Sequence, residues 1–267
     1  MEGTGQSVAR PTPASANSFQ ALLRSRAVGT LTWRGPALML FARPVLAVGA
    51  QAVVAAVFAL RGSLTPWHDA EPWLPVYGTL IDIGCLALLW RLTRREGIGL
   101  FDLVGFERAR LIRDASLGLA LIPISLVFIF GGTYVAGWVV YGAPSPPYFL
   151  GGLPWPAGVY GVLVWPFVWG LSEQMTYNGY LLSRFQVLLR STSVAIVVVG
   201  FVWSLQHAFM PLTFDAKFMA YRLLASPLSA VFDTLVYLRL RRLVPLVIAH
   251  ALMDGATVLI PLLAPAA

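Results

Sequence analysis

Charge is scarce in this chain. Asp, Glu, Lys and Arg make up 12% of its 267 residues, roughly half the 25% usual in a soluble domain. Lys217 is the one lysine among nineteen basic residues. Histidine occurs three times, at His68, His207 and His250, and cysteine once, at Cys85. A single cysteine excludes an intrachain disulfide and a cysteine-based metal site. Apolar residues take the place of the missing charge. They form 58% of the chain, and the mean hydropathy is +0.73. That balance excludes an ordinary soluble globule and describes a polytopic integral membrane protein. The net charge of +7 does not point to nucleic acid. The arginines sit mostly at the ends of apolar runs, where membrane topology places them, so the extended partner is the lipid bilayer.

The expected fold is all-α, a polytopic transmembrane helix bundle. Apolar runs of roughly 20 residues fall at about 37–60, 76–92, 115–140, 157–189, 193–212, 219–240 and 243–263. These give about seven membrane helices, with an eighth, re-entrant element as the alternative. Residues 1–34, rich in Pro, Ser and Ala, are expected to form a disordered cytoplasmic tail. Residues 35–267 form the transmembrane domain, with its chemistry concentrated in 157–263. Between the second and third runs, GIGLFDLVGFERARLIRD spaces Leu100, Leu103, Val104, Leu111 and Ile112 among charges, which predicts an amphipathic helix on the membrane interface. Arginine-rich loops alternate with arginine-poor ones. With seven spans this places the amino terminus in the cytoplasm and the carboxyl terminus outside.

Three apolar runs carry exceptions. Glu173 lies deep in 157–189, His207 lies in FVWSLQHAFMPL, and His250 and Asp254 lie in LVPLVIAHALMDGATVLI. An ionisable residue inside a membrane helix is expensive and marks a functional site by default. The fourth and fifth runs join at about Arg190, with Glu173 and His207 equally far from the turn. In an antiparallel hairpin they reach the same depth, side by side. His250 and Asp254 share a helix face at i and i+4, as do Trp203 and His207, and Glu173 and Tyr177. A buried carboxylate beside an imidazole is a competent general base for water. A histidine oriented by Asp254 can donate to a developing oxyanion. Together they predict hydrolysis of a carbonyl substrate within the membrane. Asp82 and Asp233 are expected to be structural partners inside the bundle, and His68 a solvated loop residue.

SEQMTYNGYLL, WSLQH and HALMD resemble, in order and on separate helices, the three motifs of the CAAX protease and bacteriocin-processing (CPBP, or Abi) intramembrane proteases. Those motifs are Glu-Glu-x-x-x-Arg, Phe-x-x-x-His and His-x-x-x-Asn/Asp. The resemblance implies a helical membrane peptidase acting on a peptide or protein substrate near the cytoplasmic face, in a bacterial plasma membrane. By motif match, Glu173 and His207 are the water-activating pair, and His250 and Asp254 the oxyanion pair. Gln174, Tyr177, Asn178 and Trp203 would support them. The chain departs from the pattern at Gln174, Asn178 and Trp203, where the motifs carry Glu, Arg and Phe. Asn178 cannot supply the cation with which an arginine holds a carboxylate. These departures keep a second expectation open, a catalytically degenerate membrane protein such as a bacteriocin-immunity or accessory factor. No cofactor is expected. The alternative is zinc or another divalent ion held by Glu173, His207, His250 and Asp254.

Overall fold

The computed structural model describes residues 16–144 and 152–263, and the described residues contain helices and no strand. Among the described residues, five helical stretches are long and apolar enough to cross a membrane: Arg34–Leu60, Pro66–Arg95, Leu100–Tyr141, Ala216–Leu240 and Val244–Leu263. The protein is an integral membrane helix bundle. We label the helices α1 (Phe19–Ala27), α2 (Arg34–Leu60), α3 (Leu74–Arg95), α4 (Leu111–Tyr141), α5 (Trp155–Leu163), α6 (Trp165–Gln174), α7 (Ser183–Leu188), α8 (Thr192–His207), α9 (Ala216–Ala225), α10 (Pro227–Leu240) and α11 (Val244–Leu263).

The run expected at 157–189 is not one continuous helix. It breaks at Val164, just before Pro166, whose ring removes a backbone donor and crowds the preceding turn. It then winds as a π-helix over Met175–Leu182 before α7. Every residue from Ser172 to Leu188 is buried, so this stretch is the axis of the bundle. Its partner α8 has 16 residues, about 24 Å at 1.5 Å per residue, short of a 30 Å hydrocarbon core. The outer helices present apolar side chains outward, such as Val45, Val127 and Val139, as lipid-facing surfaces do.

Two expectations are corrected. The described part of the presumed disordered tail is helical and packed, while residues 1–15 lie outside the described residues. Leu22 and Leu31 bury against Val187 and Leu188. Asn17 donates to the Gly179 carbonyl at 2.9 Å and accepts from Arg184 at 2.6 Å. Few apolar side chains are involved, so composition alone reads the segment as unstructured. Second, residues 97–110 do not form an interfacial helix. They make two 3₁₀ turns, Leu100–Leu103 and Arg108–Arg110. Gly97 and Gly105 have φ of +78° and +65°, a conformation glycine adopts readily and one that interrupts a helix. Leu103 and Val104 turn into the core, and the Val104 carbonyl accepts from Leu243 at 2.9 Å.

Helices α4 and α9 meet backbone to backbone. A Cβ at Gly132 would lie 2.1 Å from the Ala225 carbonyl oxygen, whereas one at Gly131 meets nothing within 4 Å. Small residues at such contacts let membrane helices approach closely. Gly132→Val is expected to cost about 1–3 kcal/mol by overpacking, and Gly131→Val little. Thermal unfolding in detergent measures both, and equal effects would contradict this contact.

Candidate active site

Glu173 is the penultimate residue of α6, immediately before the π-helix, and is fully buried. An isolated buried carboxylate is prohibitively costly unless donors and a cation meet it. Here both oxygens are occupied. Oε1 accepts from Gln206 Nε2 at 2.8 Å and from Arg43 Nη2 at 3.4 Å. Oε2 accepts from Trp203 Nε1 at 3.0 Å and lies 3.5 Å from His250 Nε2. The donors come from α2, α8 and α11, so this one side chain ties four helices together. π-Helical turns in α-helices occur often at functional sites, and this one begins two residues after Glu173.

His250 is held on both ring nitrogens. Its Nδ1 faces Gln174 Nε2 at 3.3 Å, and its Nε2 lies 3.3 Å from Asp254 Oδ2 as well as near Glu173. The Asp254 contact has ion-pair distance without hydrogen-bond alignment. Gln174 Nε2 also donates to Asp233 at 2.9 Å, and Gln174 Oε1 accepts from Asn178 at 2.7 Å. That network fixes the amide's orientation. An amide nitrogen only donates, so His250 Nδ1 accepts and its proton sits on Nε2, between two carboxylates. The Asn178 amide is spent on Gln174 rather than on an acid.

His207 is placed differently from the sequence expectation. The residues of α8 that bond Glu173 are Trp203 and Gln206, and among the described residues there is no ion pair between His207 and Glu173. His207 Nδ1 instead meets the Trp203 carbonyl at 3.0 Å. A carbonyl only accepts, so Nδ1 carries the proton and Nε2 is the basic nitrogen. The hairpin expectation assumed α-helical rise and 100° steps throughout. The π-helix closes i→i+5 hydrogen bonds, so α-helical spacing does not carry across Met175–Leu182. Tyr177 stacks on Trp203, with ring centroids 5.0 Å apart and planes at 10°, and donates to Gln206 Oε1 at 2.9 Å.

The sequence pattern missed Arg43, Ser172 and Gln206. Arg43 is fully buried in α2. It donates to Asp82 at 2.9 Å, Ser172 at 2.8 Å and Gln206 at 2.9 Å, and lies 4.4 Å from the Trp169 ring centroid. Its signal was an arginine inside an apolar run. Gln206 stands in an unspecified position of the second motif, one residue before His207.

The four residues named for a divalent ion are not arranged as ligands. Among the described residues, no group of three or more His, Cys, Asp and Glu side chains is gathered for a metal. N–H groups occupy both Glu173 oxygens, and the Arg43 cation already stands at Oε1. Such a donor set does not fit a second cation.

Residues 154–256 match the family model described as Type II CAAX prenyl endopeptidase Rce1-like. Over these residues the chain is similar to the CAAX protease (CPBP) family, a family of proteases. Comparison with curated proteins and with solved structures yields no match. Glu173, His207, His250 and Asp254 all fall within the matched residues, whereas Arg43 and Asp82 fall outside them.

Trp203→Phe keeps a stacked ring but removes a donor to a buried carboxylate, and should cost about 1.5–3 kcal/mol. Tyr177→Phe loses a neutral bond and should cost about 1 kcal/mol. Thermal unfolding of the two variants checks the order; equal or reversed losses would argue against the Trp203–Glu173 bond.

Proposed function

We propose that this protein is an intramembrane endopeptidase that hydrolyses a peptide bond near the cytoplasmic membrane face, with Glu173 as the base that activates water. One observation supports this most. Glu173 Oε1 is anchored by Gln206 and Arg43, while Oε2 faces His250 at 3.5 Å. Access lies on that same side: the Glu173 side chain is 0% exposed, His250 15% and Asp254 24%.

In this reading a water enters beside His250 and Asp254 and loses its proton to Glu173 Oε2, and the hydroxide attacks the scissile carbonyl. The His250 Nε2–H is the donor for the oxyanion that develops. Asp254 positions that imidazole, and Gln174 holds its other nitrogen as an acceptor. When the intermediate collapses, Glu173 returns the proton to the departing amine. His207, with a basic Nε2, assists in holding the water. The substrate is a peptide or protein segment at the membrane. The amino terminus lies in the cytoplasm in this orientation.

Glu173→Gln keeps the size of the side chain but removes the base. Turnover of a peptide library by purified protein in liposomes should fall about 10³-fold, and His207→Ala and His250→Ala should also lose activity. Undiminished turnover by Glu173→Gln would refute the assignment. The departures at Gln174 and Asn178 favour one rival, a non-enzymatic membrane factor on the same scaffold. A wild-type protein that cleaves no member of the library would support that rival.

A further inference from the structure

We propose that Arg43, from the first long apolar helix and outside the family-matched residues, is the cation of this site and the residue that positions Glu173. The proposal rests on the reading of Glu173 as the acting base. A guanidinium offers five N–H groups in a planar fork. Four are spent here on four different groups: Nε on Gln206, Nη1 on Asp82 and Ser172, and Nη2 on Glu173. Gln206 therefore accepts from Arg43 through Oε1 and donates to Glu173 through Nε2, so Arg43 acts on the carboxylate both directly and through that amide.

Charge accounting points the same way. Asp82 and Glu173 are two fully buried acids from different helices, and both lie within 3.4 Å of this guanidinium. Asn178 stands where the family motif carries its arginine, and its amide goes to Gln174. The cation thus comes from 130 residues away in sequence rather than from the next helical turn. Because Oε1 is fixed by Arg43 and Gln206, Oε2 is the oxygen turned toward His250. A lysine has neither the fork nor enough donors for this geometry.

The test separates positioning of Glu173 from mere neutralisation of Asp82. Arg43→Gln should lower kcat about 10²-fold with KM nearly unchanged, the scale expected when a reacting group is misplaced by about 1 Å. Arg43→Lys should recover part of that loss. The pair Arg43→Gln with Asp82→Asn removes the stranded acid, and should restore yield and thermal stability but not turnover. If the pair regains turnover, Arg43 serves Asp82 alone and the proposal is overturned. A thermal cycle of Arg43→Gln, Glu173→Gln and their combination needs no substrate. Coupling should appear as a non-additive Tm shift of about 2–4 °C, and additive shifts overturn the pairing. If the wild type turns nothing over, the peptidase reading fails, and this cycle still decides for or against Arg43.

Discussion

The burial of one carboxylate governs this structure. Glu173 sits at zero exposure in a bundle of apolar helices, where bulk solvent does not stabilise its charge. Its lone pairs must be satisfied by side chains, and those donors come from three other helices. Bringing Arg43, Trp203, Gln206 and His250 to one point requires α2, α8 and α11 to converge on the end of α6. Lipid gives these helices little hydrophobic reason to associate, since hydrocarbon is as apolar as leucine. Polar satisfaction and close packing set the arrangement instead.

A second polar cluster holds the other end of the same buried stretch. Arg184 pairs with Glu96 at 2.7 Å, lies over the Tyr180 ring at 4.2 Å and bonds Asn17. Tyr180 donates to Glu96 as well, at 2.8 Å. The π-helix of Met175–Leu182 is therefore held between two ion-pair networks, one at Glu173 and one at Arg184. Breaking either would leave a buried charge, the costly outcome for such pairs. Helix α1 belongs to this frame, because its neighbour Asn17 meets the Gly179 carbonyl inside the π-helix.

The protonation pattern of the two histidines follows from their partners. Gln174 makes His250 a donor through Nε2, and the Trp203 carbonyl leaves His207 with a basic Nε2. One imidazole is thus suited to an oxyanion and the other to a water. A glutamate at position 174 could not donate to His250 Nδ1 in the same way while ionised. Gln174 thereby has a defined place in this network, although the family motif carries an acid there.

The chain by itself determined that the protein is a helical membrane bundle, because hydropathy and scarce charge depend only on composition. It also singled out Glu173, His207, His250 and Asp254 as candidates, since two acids and two imidazoles in apolar helices stand out against their neighbours. Tertiary structure decided which of them touch. The Arg43–Glu173 contact spans 130 residues and leaves no periodic trace. The π-helix interrupts α-helical spacing over Met175–Leu182, and Trp203 and Gln206 meet Glu173 where that spacing pointed to His207. The order of residues 16–27 likewise rests on a few distant contacts to Gly179, Arg184 and Val187. Local pattern reports what a residue is and how far along its helix it stands; which way its helix turns, and what waits on the neighbouring one, is settled by packing.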